Sequence, residues 1–410
     1  MKKFNFEKYN SIGVNELNAA SKVIKSGKLS GFVADRSNDF FGGERVQSFE
    51  RYLEKFYKVK YAITVNSWTS GLMCMVGSLD ILPGDEIIVT PWTMSATVAS
   101  ILHWNCLPVF VDIDENDFCI DPDKIKQKIT KKTKAIFTVD IFGKASNIKS
   151  IKKIIKGKNI KILIDGAQSP YCKTSSGIAG TTGDIGGYSL NRHKIINTGE
   201  GGVIVTNNKR IAKRIKLLRN HAEITNNFTK KKDLSNMIGF NFRMGEIEAA
   251  IGLEQYKKLK KILSNRSRLL NSLTKKLSSL KGIKLPAIEK NYSNNFYIYP
   301  ITLDTRRIKI LRYKIVNALK KEGMKEISEG YTNLHLIPAL QKKIAFGQKG
   351  FPWNLNKNKI NYKKGICPVA EKLHDSSFIM LEVCAFKLDK KTINFISNSF
   401  LKVWKNLKLC

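Results

Sequence analysis

Histidine, proline and cysteine are scarce in this 410-residue chain, at five, ten and seven copies. The cysteines in particular close off two classes of function. Seven cysteines are an odd number, and no two stand in a CxxC pair. A disulfide framework is therefore unsupported, and so is a closely spaced zinc or iron–sulfur ligand set; no metal is expected. A reducing cytoplasm suits such cysteines best. No long charge-free apolar run is present, so no transmembrane helix is expected. The opening MKKFNFEKYN has lysines but no apolar stretch behind them, unlike a secretory signal. Acidic residues are few, at 34 against 71 lysines and arginines, for a formal charge of +37. That balance raises a nucleic-acid partner as a possibility. The lysines, however, are spread along the whole chain. In "IKSIKKIIKGKNIKI" the isoleucines recur at helical intervals and lysines fill the other faces, the pattern of solvated helix surfaces. No zinc-finger, RNP-type or helix-turn-helix signature accompanies the charge, and no nucleic-acid partner is expected. A broad positive field would still attract an anionic small substrate.

What is present is the material of a large folded protein: 42% hydrophobic residues, 10% aromatics and enough length for a large domain and a smaller one. Seven apolar runs read as strands: 61–66, 86–91, 108–113, 135–141, 160–166, 185–190 and 201–207. Most are too continuously apolar for a one-sided sheet. Helical patterns at Leu72–Leu79 and Ile148–Ile155 alternate with them, which predicts an α/β fold with a mainly parallel sheet. Amphipathic helices are expected before it, at Val14–Ile24 and Val46–Tyr57, and a long helix in two pieces after it, at Glu246–Leu277. The division predicted is a large domain over 1–265 and a smaller α+β domain over 266–410. Ile308–Lys321 and Lys390–Leu407 are helices of the latter.

In an open parallel sheet, ligands sit at the carboxyl ends of the strands. Three polar clusters fall there. "NSWTSG" (66–71) opens a helix, and its hydroxyls and backbone N–H groups make either an anion site or simply a good helix cap. "DGAQS" ends a buried strand with Asp165, followed by Gln168. "GGYSLNRHKIINTGEGG" puts Ser189, His193 and Lys194 at the next strand end and its loop. A phosphate site, a carboxylate, a hydroxyl and a lysine around one crevice are the parts of a pyridoxal phosphate site, where the lysine forms the Schiff base and the carboxylate holds the pyridinium proton.

Taken in order, "PGDEIIVTPWTMSAT", "PVFVDIDENDFCIDP", "IDGAQS", "GDIGGYSLNRHKIINTGEGGVIVTNN" and "GFNFRMGEIEAAIG" resemble the DegT/DnrJ/StrS family of pyridoxal-phosphate-dependent sugar aminotransferases. The resemblance runs from "SGKLSG" (26–31) to "CPVAEKLH" (367–374). It implies an aspartate-aminotransferase-like fold (fold type I) and a homodimer whose two sites share residues. By position, Lys194 matches the Schiff-base lysine, Asp165 the pyridinium partner and Gln168 the residue bonding the ring hydroxyl. Trp68, Thr69, Ser70 and Ser189 match phosphate-binding positions, and Asn241 matches an asparagine that reaches the neighbouring subunit's phosphate. Where many members carry a ring-stacking aromatic after the threonine, this chain has Met94, with Trp92 just before the threonine; either could cover the ring.

One branch of the family replaces the lysine by histidine and is a dehydratase. Counting from Ser189 puts Lys194 on the functional position and His193 one before it, so an aminotransferase is expected and a dehydratase is the alternative. A basic nucleic-acid-binding protein is the alternative from another class. The resemblance implies transfer from an amino acid, glutamate in most members, to a nucleotide-linked keto-sugar for surface polysaccharide, lipopolysaccharide or another glycoconjugate. His193 and His335 are candidate substrate contacts. "DIDENDFCIDPD" spaces Asp112, Asp114 and Asn116 like a calcium loop, but Asp117 stands where that loop requires glycine.

Overall fold

The computed structural model describes residues 4–33, 37–222, 237–288, 294–347 and 349–409. Seven strands form the central sheet: β1 (Tyr61–Val65), β2 (Glu86–Val89), β3 (Leu107–Phe110), β4 (Thr133–Val139), β5 (Lys161–Asp165), β6 (Ile185–Ser189) and β7 (Gly202–Thr206). Their order is β1-β7-β6-β5-β4-β2-β3. β3, β2, β4, β5 and β6 pair in parallel, and β7 runs antiparallel to both neighbours. All seven strands lie where continuous apolar runs predict them, because each is covered by helices on both faces.

The covering helices include α1 (Val14–Ser26), α2 (Glu44–Tyr57), α3 (Trp68–Gly77), α4 (Ser95–His103), α5 (Ile148–Ile154) and α6 (Lys209–Arg219). α3 lies close enough to the sheet to explain Gly187 of β6. A Cβ on Gly187 would stand 2.0 Å from the Val203 carbonyl oxygen and 2.5 Å from the Trp68 ring. Only glycine lets that indole rest on the strand.

The helix expected in two pieces is one, α7 (Glu246–Leu277, 32 residues). Its apolar stripe changes partner, not period. Tyr256, Leu259 and Leu263 pack with α2 and the sheet, whereas Leu269, Leu270, Leu273 and Leu277 enter a second core. The second core surrounds a four-stranded antiparallel sheet of β8 (Ile283–Lys284), β9 (Tyr299–Leu303), β10 (Ile327–Glu329) and β11 (Phe378–Leu381), in the order β8-β9-β11-β10. Helices α8 (Arg312–Lys321) and α9 (Lys390–Asn406) flank it.

The cores do not divide cleanly along the chain. Phe4 stacks on Phe395 at 4.1 Å between ring centroids, so the N-terminal segment packs on the small sheet. Leu334, Leu340, Trp353, Tyr362 and Phe378, from the C-terminal third, belong instead to the core of the large sheet. This interleaving brings small-domain side chains over the carboxyl ends of β4, β5 and β6.

Candidate active site

Asp165 is the last residue of β5 and is 4% exposed. Its Oδ1 accepts the Trp68 indole N–H at 2.8 Å and the Ala167 amide at 3.1 Å, and its Oδ2 accepts the Thr97 hydroxyl at 2.7 Å. Thr93 lies 2.8 Å behind Thr97, hydroxyl to hydroxyl, one helical turn away. Every partner of the carboxylate donates. A carboxylate offers about four lone-pair positions; three are filled, and the residue faces a cavity of about 380 Å³. That leaves room for one further N–H donor on the cavity side.

The first residues of α3 line the same cavity. Ser67 caps the helix, its Oγ accepting the Ser70 amide at 3.1 Å. The amides of Trp68 and Thr69 have no partner among the described residues, so they and the Thr69 hydroxyl stand open at the positive end of a ten-residue helix. Ser189, at the end of β6, lines the same cavity. An anion at this end and a ring N–H at Asp165 are the two demands of a pyridoxal phosphate molecule, and the donor set fits both.

Lys194 enters from the loop after β6 and is 8% exposed. Burial depresses its amine from the usual lysine value to about 8, against the pull of Asp165 and Cys384, which act upward. Its Nζ lies 4.5 Å from the centroid of the Tyr297 ring. The small domain supplies this wall: Tyr297 and Ile298 before β9, and Met380, Glu382, Cys384 and Ala385 at the end of β11 and beyond. Tyr9, near the N-terminus, donates its hydroxyl at 2.7 Å to the carbonyl of Ile195, next to the lysine, and so straps the loop down.

The structure gathers Trp68, Thr69, Met94, Asp165, Gln168, Ser189, His193 and Lys194 around one cavity. The Gln168 carbonyl oxygen accepts the Phe142 amide at 2.7 Å. His193 is exposed at the rim, and burial followed by the neighbouring Lys194 and Arg192 lowers its proton affinity. Four expected residues stand elsewhere. Trp92 does not line the cavity; it is fully buried, 4.9 Å from Phe378 and 5.8 Å from Phe118 between ring centroids, because the turn after β2 aims it into the core. Met94, 64% exposed, is the residue of that pair that reaches the cavity. His335 is no substrate contact: it is fully buried, and its Nε2 lies 2.8 Å from Glu371 Oε1 under the C-terminal segment. Ser70 lies behind the cavity wall, with its amide and hydroxyl both engaged by Ser67. Asn241 is exposed, with its Oδ1 accepting Arg243 Nε–H at 2.8 Å, and it does not line the cavity of its own chain.

Thr97, Tyr297, Tyr331 and Cys384 went unread. Thr97 sits in the first turn of α4, four residues after Thr93, which precedes the helix, and nothing in its local pattern marked it. The other three come from segments whose approach to the sheet is decided by tertiary packing.

A lysine and a hydrogen-bonded carboxylate at the carboxyl edge of a mainly parallel sheet, closed by a second domain, define an α/β enzyme with a built small-molecule site. The chain belongs to the DegT/DnrJ/EryC1/StrS aminotransferase family, which it matches over residues 33–373. It is 30% identical over 297 residues to GDP-perosamine synthase of Caulobacter vibrioides, covering 72% of this chain and 78% of that one. Its fold matches Helicobacter pylori PseC, an aminotransferase involved in the biosynthesis of pseudoaminic acid (TM-score 0.81, 24% identity, 99% of this chain and 100% of that one). It also matches the E. coli GDP-4-keto-6-deoxy-D-mannose-3-dehydratase with bound hydrated PLP (TM-score 0.80, 24% identity, 97% and 100%). The fold is therefore the type I fold of pyridoxal-phosphate enzymes.

Proposed function

We propose that this protein is a pyridoxal-phosphate-dependent aminotransferase that moves an amino group from an amino acid, glutamate being the favoured donor, to a nucleotide-linked keto-sugar. The observation that carries the reading is the convergence of Lys194 and Asp165 on one cavity that the open N-terminus of α3 also lines. Pyridoxal phosphate, when bound, supplies the electron sink that lets a Cα–H bond of the donor break. Asp165 accepts the ring N–H, and Trp68 and Thr97 keep its carboxylate aimed. Thr69, Ser189 and the first amides of α3 hold the phosphate, and Asn241 of a second copy completes that end in a homodimer. Lys194 holds the cofactor at rest. Its Nζ, depressed to about 8, is neutral often enough near physiological pH to take up and return the proton that moves. Tyr297, Phe142 and Met380 keep water away.

The relative named above that makes a nucleotide-linked amino sugar supports the acceptor class, and glycoconjugate synthesis in the cytoplasm is the setting proposed; among the described residues no helix is long and apolar enough to cross a membrane. A dehydratase reading is less well supported, because the lysine and not His193 occupies the buried position. Incubation with ¹⁵N-glutamate and a panel of nucleotide keto-sugars, read by mass spectrometry, tests the proposal. Label in a sugar product supports it; loss of water from the sugar without nitrogen gain points to the dehydratase.

A further inference from the structure

Tyr297 is held from several sides. Its amide donates to the Phe142 carbonyl at 3.1 Å, and the Phe296 amide before it donates to Asn294 Oδ1 at 2.8 Å. Behind both lies Arg266 of α7, only 3% exposed. Arg266 donates to the Phe296 carbonyl at 2.5 Å, to the Val383 carbonyl at 3.3 Å and to Cys384 Sγ at 3.3 Å. Among the described residues it makes no ion pair, and its Nε has no partner. A buried guanidinium without a counter-ion is costly. All its hydrogen bonds among the described residues go to the two segments that face Lys194.

We propose that Tyr297 is a positioning residue for Lys194: its ring face seats the amine, and Arg266 holds that ring in register. The aromatic face attracts the ammonium form through its quadrupole and has no such attraction for the neutral amine. Tyr297 therefore opposes the burial of the lysine, alongside Asp165, and keeps the amine able to accept a proton inside a dry cavity. Without it, the amine would lose its proton more readily and would also lose its resting place when not bonded to a cofactor. Other titratable groups face the same cavity: Asp165 from β5, His193 and Glu200 from the lysine's own loop, Tyr331, and Glu382 with Cys384 after β11. Tyr297→Leu leaves all of them in place and keeps an apolar wall.

The significance of this seat rests on Lys194 being the reactive lysine, but its test does not need a cofactor. Full-length protein stripped of any bound cofactor is acetylated briefly with acetic anhydride across neutral to alkaline pH. Labelling of the Lys194 peptide is read by mass spectrometry. The wild-type midpoint is expected near 8. Tyr297→Leu should lower it by about half to one pH unit, and Tyr297→Phe, which keeps the ring, should leave it unmoved. If the leucine protein misfolds by circular dichroism, Tyr297→Met replaces it. A folded ringless variant whose midpoint is unchanged or raised overturns the proposal. Failure here leaves the aminotransferase reading standing; that reading fails separately if the protein carries no cofactor on Lys194.

Discussion

At the scale of single residues, burial leaves a clear electrostatic mark on Lys194. Its amine sits near 8 when folded and near the ordinary lysine value, about 10.4, when unfolded. Between those values the unfolded chain binds more protons, so stability rises with pH through that window; below 8 the full burial penalty applies. Lys194→Met should therefore stabilise the cofactor-free protein at neutral pH by about 1–3 kcal/mol, an advantage that fades toward pH ~10. Thermal melts at several pH values check this, and equal melting of both proteins at neutral pH would contradict it. The same substitution should abolish transamination. Asp165→Asn keeps the shape but removes the charge, so the cofactor should bind more weakly and the proton-transfer step should slow strongly in single-turnover kinetics. Asp165 was legible in the sequence because it closes a buried strand with a polar residue, and Lys194 because it follows in the loop after the next such strand, which ends at Ser189. Trp92 and His335 misled for the opposite reason. Neither the direction in which a turn throws an indole nor a histidine's burial against Glu371 is written in local sequence.

At the scale of elements, the site depends on how α3 lies on the sheet. Trp68 is both a wall of the cavity and the donor that orients Asp165. Trp68→Phe removes one hydrogen bond to a charged group, worth about 1.5–3 kcal/mol, and should weaken cofactor retention in equilibrium dialysis. Gly187→Ala should do more damage, because its Cβ would meet the Val203 carbonyl and the indole at once. Lowered melting temperature with loss of cofactor is expected; a variant as stable as wild type would refute the close-approach argument. The seven strands were readable because burial on both faces leaves continuous apolar runs. The single helix α7 was not, since its stripe serves two cores and its pattern shifts partner midway. The cavity wall of Tyr297, Tyr331 and Cys384 was also hidden, because its approach comes from the interleaving of the two cores.

At the scale of the whole molecule, an exposed Asn241 outside its own cavity suits a residue that serves a second copy. Light scattering should give about twice the chain mass of 46.4 kDa. Asn241→Ala should weaken cofactor binding about tenfold or more, as expected for one lost charge-assisted bond. Hybrid dimers of Lys194→Ala and Asn241→Ala chains then discriminate. If the asparagine crosses, the site holding the intact lysine receives an intact Asn241 and regains wild-type affinity; if it acts within its own chain, no recovery occurs.

The central claim is that Lys194 holds pyridoxal phosphate covalently in the resting enzyme. Borohydride reduction of the purified, cofactor-loaded protein, followed by peptide mass spectrometry, tests it most directly. A reduced pyridoxyl adduct is expected on the peptide containing Lys194 and on no other of the chain's many lysines. A protein that takes up no adduct, or takes it up at a lysine outside this cavity, contradicts it.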